Sequence, residues 1–75
     1  SAAEVAYTSV LSGTVTTVSA VGTVVREGDV LLTVNTLTGP MAAARAQSAG
    51  VVKSVAVGAG STVNAGETVV VVEAE

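Results

Sequence analysis

The sequence predicts an all-β sandwich or barrel built from two similar halves. Three observations support this prediction. β-Branched residues dominate the composition, with 18 valines and ten threonines among 75 residues, and such residues pack well on pleated sheets. Turn-forming residues separate short apolar runs every six to ten positions. Residues 50–73 repeat the pattern of residues 13–35, and a repeat of this size indicates two structurally equivalent units.

The length and the composition indicate one small domain covering residues 1–75. A chain of this size buries only roughly 60–65% of its unfolded surface. Hydrophobic residues make up 49% of the chain, while Trp and Phe are absent and Tyr7 is the single aromatic residue. The core is therefore expected to be aliphatic.

The charge pattern excludes several classes of partner. The net charge is −3, and the only basic residues are Arg26, Arg45 and Lys53. Without a basic cluster or aromatic side chains for base stacking, the sequence argues against nucleic-acid binding. The acidic balance disfavours anionic membrane surfaces. No apolar run approaches the roughly 20 residues of a membrane span, so direct membrane insertion is not expected.

Each half contains a frame in which glycines alternate with apolar residues at intervals of three. The two frames are Gly22, Val25, Gly28 and Leu31, and Gly60, Val63, Gly66 and Val69. Glycines on both sides of a single valine indicate two tight turns with one apolar anchor pointing inward. The segments "REGD" and "NAGE" surround the second glycine of each frame with polar residues, as solvent-facing turns do. The glycines are therefore interpreted as scaffold, since neither frame matches a phosphate-binding motif.

Strand irregularities can also be predicted. Val52, Val55 and Val57 break strict alternation, which indicates a β-bulge or bend in each long strand. The run "TVVVVE" (68–73) would be prone to aggregation at an exposed edge. It is therefore expected to be a paired strand, buried on at least one face.

Three segments resemble the biotinyl/lipoyl carrier domains. "SVLSGTV" (9–15) is similar to the family's S-P-M-P-G-x-V, without its prolines. "GTVVREGDVLLTV" (22–34) resembles G-x-x-V-x-x-G-D-x-L-L-x-L, and "ARAQSAGVVKSVAVGAGSTVNAGETVVVVE" (44–73) resembles the pattern that begins I-x-A-P-x-x-G-x-V. The resemblance covers residues 9–73. It implies a flattened barrel-sandwich of two roughly four-stranded antiparallel sheets, with pseudo-twofold symmetry between residues 13–35 and 50–73.

The resemblance also locates the family's modification hairpin, E-A-M-K-M. It falls on the segment Asn35, Thr36, Leu37, Thr38 and Gly39. The acceptor-lysine position is thus occupied by Thr38, or by Gly39 with a one-residue offset, and the lipoyl version D-K-A is also missing. Because both ligases form an amide with a lysine amine, no biotin or lipoyl cofactor is expected. Lys53 matches a strand position of the family and is not expected to substitute.

The segment that follows the hairpin departs from the family. "GPMAAARAQ" (39–47) is one residue longer than the usual biotinyl spacing. Pro40 would suit the first turn of a helix, and the alanines favour one. Ala42, Ala44 and Ala46 alternate as a strand would, however, and a helix of two turns is marginal in water. A strand from about Ala42 is therefore preferred over a short helical turn.

No other chemistry is indicated. The chain has no His and no Cys, which argues against a zinc or copper site and against a catalytic triad. Asp29 and Glu67 follow equivalent glycines, so the symmetry puts them on separate turns, too far apart for acid–base catalysis. The chain is therefore not expected to be an enzyme. Met41 is interpreted as a cap on the core or as a contact for a partner.

The leading hypothesis is a non-catalytic biotinyl/lipoyl-like domain that acts as a structural or protein-interaction module. Its expected partner is a protein, and the candidate contact residues in the hairpin are Thr38, Gly39, Pro40 and Met41. One alternative is a carrier domain of a carboxylase or acyltransferase complex whose attachment residue is lost or mutated. Another is a lipoyl-like fragment of an envelope secretion or efflux adaptor (membrane-fusion) protein, a class that commonly inserts a helical hairpin near residues 37–42. A carrier-derived domain implies a cytoplasmic location, and an adaptor-derived domain implies the cell envelope; the residues alone do not decide between them.

Overall fold

The regular structure of the domain consists of β-strands alone. The computed structural model describes residues 3–75, which contain eight strands and no helix. The strands are β1 (Glu4–Thr8), β2 (Gly13–Val18), β3 (Val24–Val25), β4 (Val30–Thr36), β5 (Gly39–Arg45), β6 (Gly50–Val55), β7 (Thr62–Val63) and β8 (Thr68–Ala74). Within that range there is consequently no helical segment that could cross a membrane.

The strands form two four-stranded antiparallel sheets. The first sheet has the order β1-β8-β6-β3 and the second has the order β5-β4-β2-β7. A pseudo-twofold operation exchanges them strand for strand. Even single hydrogen bonds repeat: the Gly28 N–H donates to the Ala46 carbonyl at 2.7 Å, and the Gly66 N–H donates to the Ser9 carbonyl at 2.8 Å. The flattened barrel-sandwich expected from the sequence is confirmed.

Both long strands that carry the repeated glycine contain the expected bulge. In β2 the register with β4 shifts between Val15 and Thr17, and in β6 the register with β8 shifts between Val52 and Ser54. One extra residue in each strand bends it and increases its twist. The bend allows each sheet to curve around a core of limited volume.

The core lies between the two sheets and is aliphatic apart from Tyr7. Its most deeply buried side chains come from both halves, chiefly Val15, Leu31, Leu32, Val34, Val52, Val63, Val69, Val70 and Val72. The run "TVVVVE" forms most of β8, which lies between β1 and β6. The prediction that this run is paired and buried is confirmed, and its apolar face is not exposed at a sheet edge.

Residues 39–45 form a strand, as preferred, and the helical alternative is wrong. The strand begins at Gly39, three residues earlier than expected. Pro40 is compatible with this position because β5 is at the edge of its sheet, where a missing N–H leaves no neighbouring strand unpaired.

The single aromatic side chain connects the two sheets. Tyr7 is buried on β1, and its hydroxyl oxygen accepts a hydrogen bond from the backbone N–H of Gln47 at 3.0 Å. Gln47 follows β5, which belongs to the other sheet. The bond therefore ties the edge strand of one sheet to the segment leaving the edge strand of the other.

Tyr7→Phe is expected to lower the free energy of unfolding by about 1 kcal/mol, because the Gln47 N–H loses its partner. For a domain of this size the melting temperature should fall by roughly 4–8 °C. Circular dichroism would measure the change. Amide hydrogen exchange supplies the control. Exchange at Gln47 should accelerate more than the loss of global stability explains. Exchange of amides in the middle of β8 should change only as much as global stability does. Unchanged exchange at Gln47 would contradict this role.

Candidate functional site

The β4–β5 hairpin ends in a two-residue turn formed by Leu37 and Thr38. The last two cross-strand pairs before the turn are Asn35 with Pro40 and Thr36 with Gly39. Both turn residues are exposed, and Leu37 is fully exposed. The hairpin therefore presents these two side chains to solvent.

The hydroxyl of Thr36 organises this turn. Its Oγ1 accepts a hydrogen bond from the Thr38 N–H at 3.2 Å and donates one to the Gly39 carbonyl at 2.8 Å. Since that donation uses the only hydroxyl proton of Thr36, the 3.1 Å contact between the two threonine hydroxyls has Thr38 as the donor. Gly39 has a φ of +105°, in a region that L-residues rarely adopt. The turn thus has a defined shape that depends on Thr36 and Gly39.

The structure brings the sequence-predicted contact residues together at this hairpin. Thr38 is in the turn, and Gly39, Pro40 and Met41 begin β5. Met41 is paired with Val34, which is completely buried, yet Met41 itself is half exposed. Its side chain is therefore accessible to a partner. Sequence reasoning did not include Leu37 among the contact residues, although its place in a turn could have indicated its exposure.

The part of the β4–β5 hairpin that surrounds the turn carries no charge. No charged residue occurs from Val30 to Ala44. The adjoining strand segments Gly13–Thr14 and Thr62–Val63, which pair with each other, are also uncharged. The hairpin and these two strand segments consequently offer hydroxyl, amide and apolar side chains only.

The additional residue of the segment 39–47 is accommodated within β5 and not in the turn. Leu32 is paired with Ala44 and Thr33 is paired with Ala42, so Ala43 has no partner residue on β4. In the symmetry-equivalent pair of β1 and β8, Tyr7 is paired with Val70 and Ala6 is paired with Val71, so no residue of β1 is left without a partner between them. Ala43 therefore forms a bulge, and the turn keeps its length of two residues.

Lys53 lies on the first sheet, whereas the hairpin belongs to the second. It occupies the β6 bulge, and its ammonium group forms an ion pair with Glu4 on β1. The hydrogen bond that Lys53 donates to Glu4 raises the pKa of the lysine, with a further contribution from the charge of Glu4 and a smaller one from Glu73. The contact with Glu4 therefore stabilises the ammonium form of Lys53.

The two carboxylates considered as an acid–base pair each stabilise their own turn. Asp29 Oδ2 accepts a hydrogen bond from the Arg26 N–H at 2.9 Å, and Glu67 Oε1 accepts one from the Asn64 N–H at 3.1 Å. Across residues 3–75, no three His, Cys, Asp or Glu side chains gather as a metal site would require. These carboxylates are accounted for by turn structure.

A shallow groove of about 730 Å³ separates the edge strands β1 and β5. Its lining is rich in alanine, with Tyr7 on one side and Ala42–Ala46 on the other. Arg45 is one of its charged residues, and its guanidinium group donates to the Gly28 carbonyl at 2.9 Å. The groove is a consequence of small side chains on β5 and contains no set of residues suited to catalysis.

Comparison with known proteins agrees with this architecture. The biotin/lipoyl family model, described as biotin-requiring enzyme, matches residues 3–72. Among solved structures, a single-chain, multi-domain long-chain acyl-CoA carboxylase is 26% identical with a TM-score of 0.86. The match covers 96% of this chain and 7% of the carboxylase chain, so this chain spans only a small part of that protein's length. No curated protein matches the chain. The family match over nearly all residues, together with the symmetric two-sheet fold, means that this chain belongs to the biotinyl/lipoyl carrier-domain family.

Proposed function

We propose that this domain is a non-catalytic member of the family that carries neither biotin nor a lipoyl group and that contacts a partner protein through its β4–β5 hairpin. The turn residues support this proposal directly. Leu37 and Thr38 provide no amine, and Thr38 stands where the family pattern has its acceptor lysine. An acyl group attached through an amide therefore has no acceptor at the turn.

The remaining lysine is a poor substitute. Lys53 is held by Glu4 on a different sheet from the hairpin. Its ammonium group is held in the ion pair with Glu4, so the contact with Glu4 would have to break before the amine could attack an activated acyl group. Its position in a bulged strand also differs from the projecting turn that a ligase would need to reach.

The surface of the hairpin supports a role in protein contact. Leu37 is fully exposed and Met41 is half exposed, within a segment from Val30 to Ala44 that has no charged side chain. The centres of protein interfaces are depleted in charge and enriched in methionine. The hydrogen bonds of Thr36 hold the turn in one shape, which reduces the entropy lost on binding.

The solved relative supports a carrier-type origin over the secretion-adaptor alternative. That relative is a multi-domain carboxylase in which the matching region is a small part of the chain. A domain of this kind works beside larger protein units. We therefore propose a component of such a multi-domain assembly as the partner of the hairpin.

Co-expression with biotin ligase and lipoate ligase tests the loss of acylation. The intact mass of the wild-type domain is expected to stay unchanged, because the hairpin has no acceptor amine. A family member that contains E-A-M-K-M, expressed in the same cells, shows that both ligases are active. Lys53→Arg is the matched variant. A biotinyl or lipoyl mass on the wild type that disappears in Lys53→Arg would overturn the proposal and identify Lys53 as the acceptor.

A further inference from the structure

We infer that the outer face of the first sheet binds a partner segment that is apolar at one end and cationic at the other. The inference rests on one row of residues that crosses all four strands. Val24 on β3 is paired with Val51 on β6, Val51 with Glu73 on β8, and Glu73 with Glu4 on β1. Cross-strand partners share a face of the sheet, and all four are exposed, Val24 at 69% and Val51 at 43%. We call these four residues the outer row.

The pseudo-twofold symmetry provides an internal control for this row. The equivalent positions on the second sheet are Thr62, Thr14, Asn35 and Pro40, which are paired in the same order. The two rows have the same strand pairing, but one is uncharged and contains two threonines, an asparagine and a proline, while the other combines two valines with two glutamates. The fold therefore does not require valine or glutamate at these positions. An exposed valine pair next to two carboxylates needs a different explanation, and contact with a partner provides it.

The charges around the outer row indicate what the partner must offer. Glu4 and Glu73 are the two carboxylates of the row, and the ammonium group of Lys53 is paired with Glu4, which leaves a formal side-chain charge of −1 on the row and its ion pair. A second copy of the same face would bring like charges together, so the outer row favours a cationic partner over self-association. Neighbouring strands are separated by about 4.8 Å, which places the valine pair about 10 Å from the glutamate pair. The partner segment thus carries apolar side chains at one end, and Lys or Arg at a distance of about 10 Å from them.

This surface is separate from the proposed hairpin contact. The outer row belongs to the first sheet, and the β4–β5 hairpin belongs to the second. The inference does not depend on the absence of an acylated lysine, since no residue of the outer row takes part in the turn. A domain with both surfaces could connect two proteins.

Titration of the isotope-labelled domain with a defined peptide, followed by NMR, tests the inference. The probe is acetyl-VTVTKTK-amide, and the control is the charge-reversed peptide acetyl-VTVTETE-amide. The first peptide should shift the amide signals of the outer row and bind more weakly as salt is added. The charge-reversed peptide should bind at least about tenfold more weakly, since it places like charges opposite the glutamates.

Three variants separate the apolar and the charged contributions. Val24→Thr/Val51→Thr introduces the residues of the equivalent row, so it should keep the fold and reduce peptide affinity at least about tenfold. Glu73→Gln should reduce affinity several-fold and weaken its salt dependence. Thr14→Val/Thr62→Val creates a valine pair on the second sheet without adjacent carboxylates. This variant should gain no binding of the cationic peptide there.

Five outcomes would overturn the inference. The peptide could fail to bind, or its shifts could map outside the outer row. The charge-reversed peptide could bind equally well. Val24→Thr/Val51→Thr could unfold, which would assign the valines to stability. Sedimentation could show a wild-type dimer that this variant abolishes, which would make a second copy the occupant.

Discussion

Gly50→Ala is expected to lower the free energy of unfolding by about 3 kcal/mol, at the upper end of the usual cost of overpacking. Gly50 begins β6 and is buried. A Cβ at this position would lie 2.7 Å from Val72 Cγ1 and still closer to the Glu73 carbonyl oxygen. The carbonyl belongs to the central strand β8 and cannot move without disturbing two strand pairings. The melting temperature should therefore fall by roughly 12–24 °C.

Gly58→Ala is the matched control for this prediction. A Cβ at Gly58 would meet no atom within 4 Å, and its φ is not positive. The same chemical change should therefore alter stability by less than about 1 kcal/mol, with stabilisation through the unfolded state as the expected direction. Urea denaturation of both variants would compare their free energies of unfolding. Equal stability of Gly50→Ala and Gly58→Ala would show that β8 adjusts to the added methyl group.

The architecture can be predicted from the sequence because its strongest signals are glycines and valines that recur at the same spacings in both halves. Glycine is required where strands pass at very close distance, and Gly13 and Gly50 begin equivalent strands that both show such crowding. Their repetition in the amino-acid sequence is enough to identify the two halves. The valines after Gly50 likewise indicate the bulge in β6. Val52 and Val55 are three residues apart, and both can face the core only if the strand contains one extra residue between them.

The details of the hairpin could not be predicted in the same way. The extra residue of β5 lies within Ala42–Ala44, where identical side chains give no signal of register. The bond between Tyr7 and Gln47 joins residues 40 positions apart, and no local pattern encodes it. The outer row also depends on the strand pairing, since Val24 and Glu4 are brought to one face by four strands that are not consecutive in the sequence.

Replacing residues 35–39 by Glu-Ala-Met-Lys-Met is expected to convert the domain from an unmodified protein into a substrate of biotin ligase. The cross-strand pairs that flank the turn put residue 38 at its second position, and the extra residue lies in the bulge at Ala43, away from the turn. The hairpin therefore has the length needed to present a lysine at position 38. Intact mass after co-expression with the ligase should show one biotinyl group on most molecules.

The control for this variant is the same replacement with alanine at position 38, which should remain unmodified because it lacks the amine. Circular dichroism must show that both variants are folded, since the replacement removes the Thr36 hydroxyl and the left-handed Gly39. A folded but unmodified lysine variant would contradict the prediction. Deleting Ala43 in that variant would then distinguish two causes. Recovery of biotinylation would assign the failure to the β5 bulge, and continued failure would assign it to the shape of the turn.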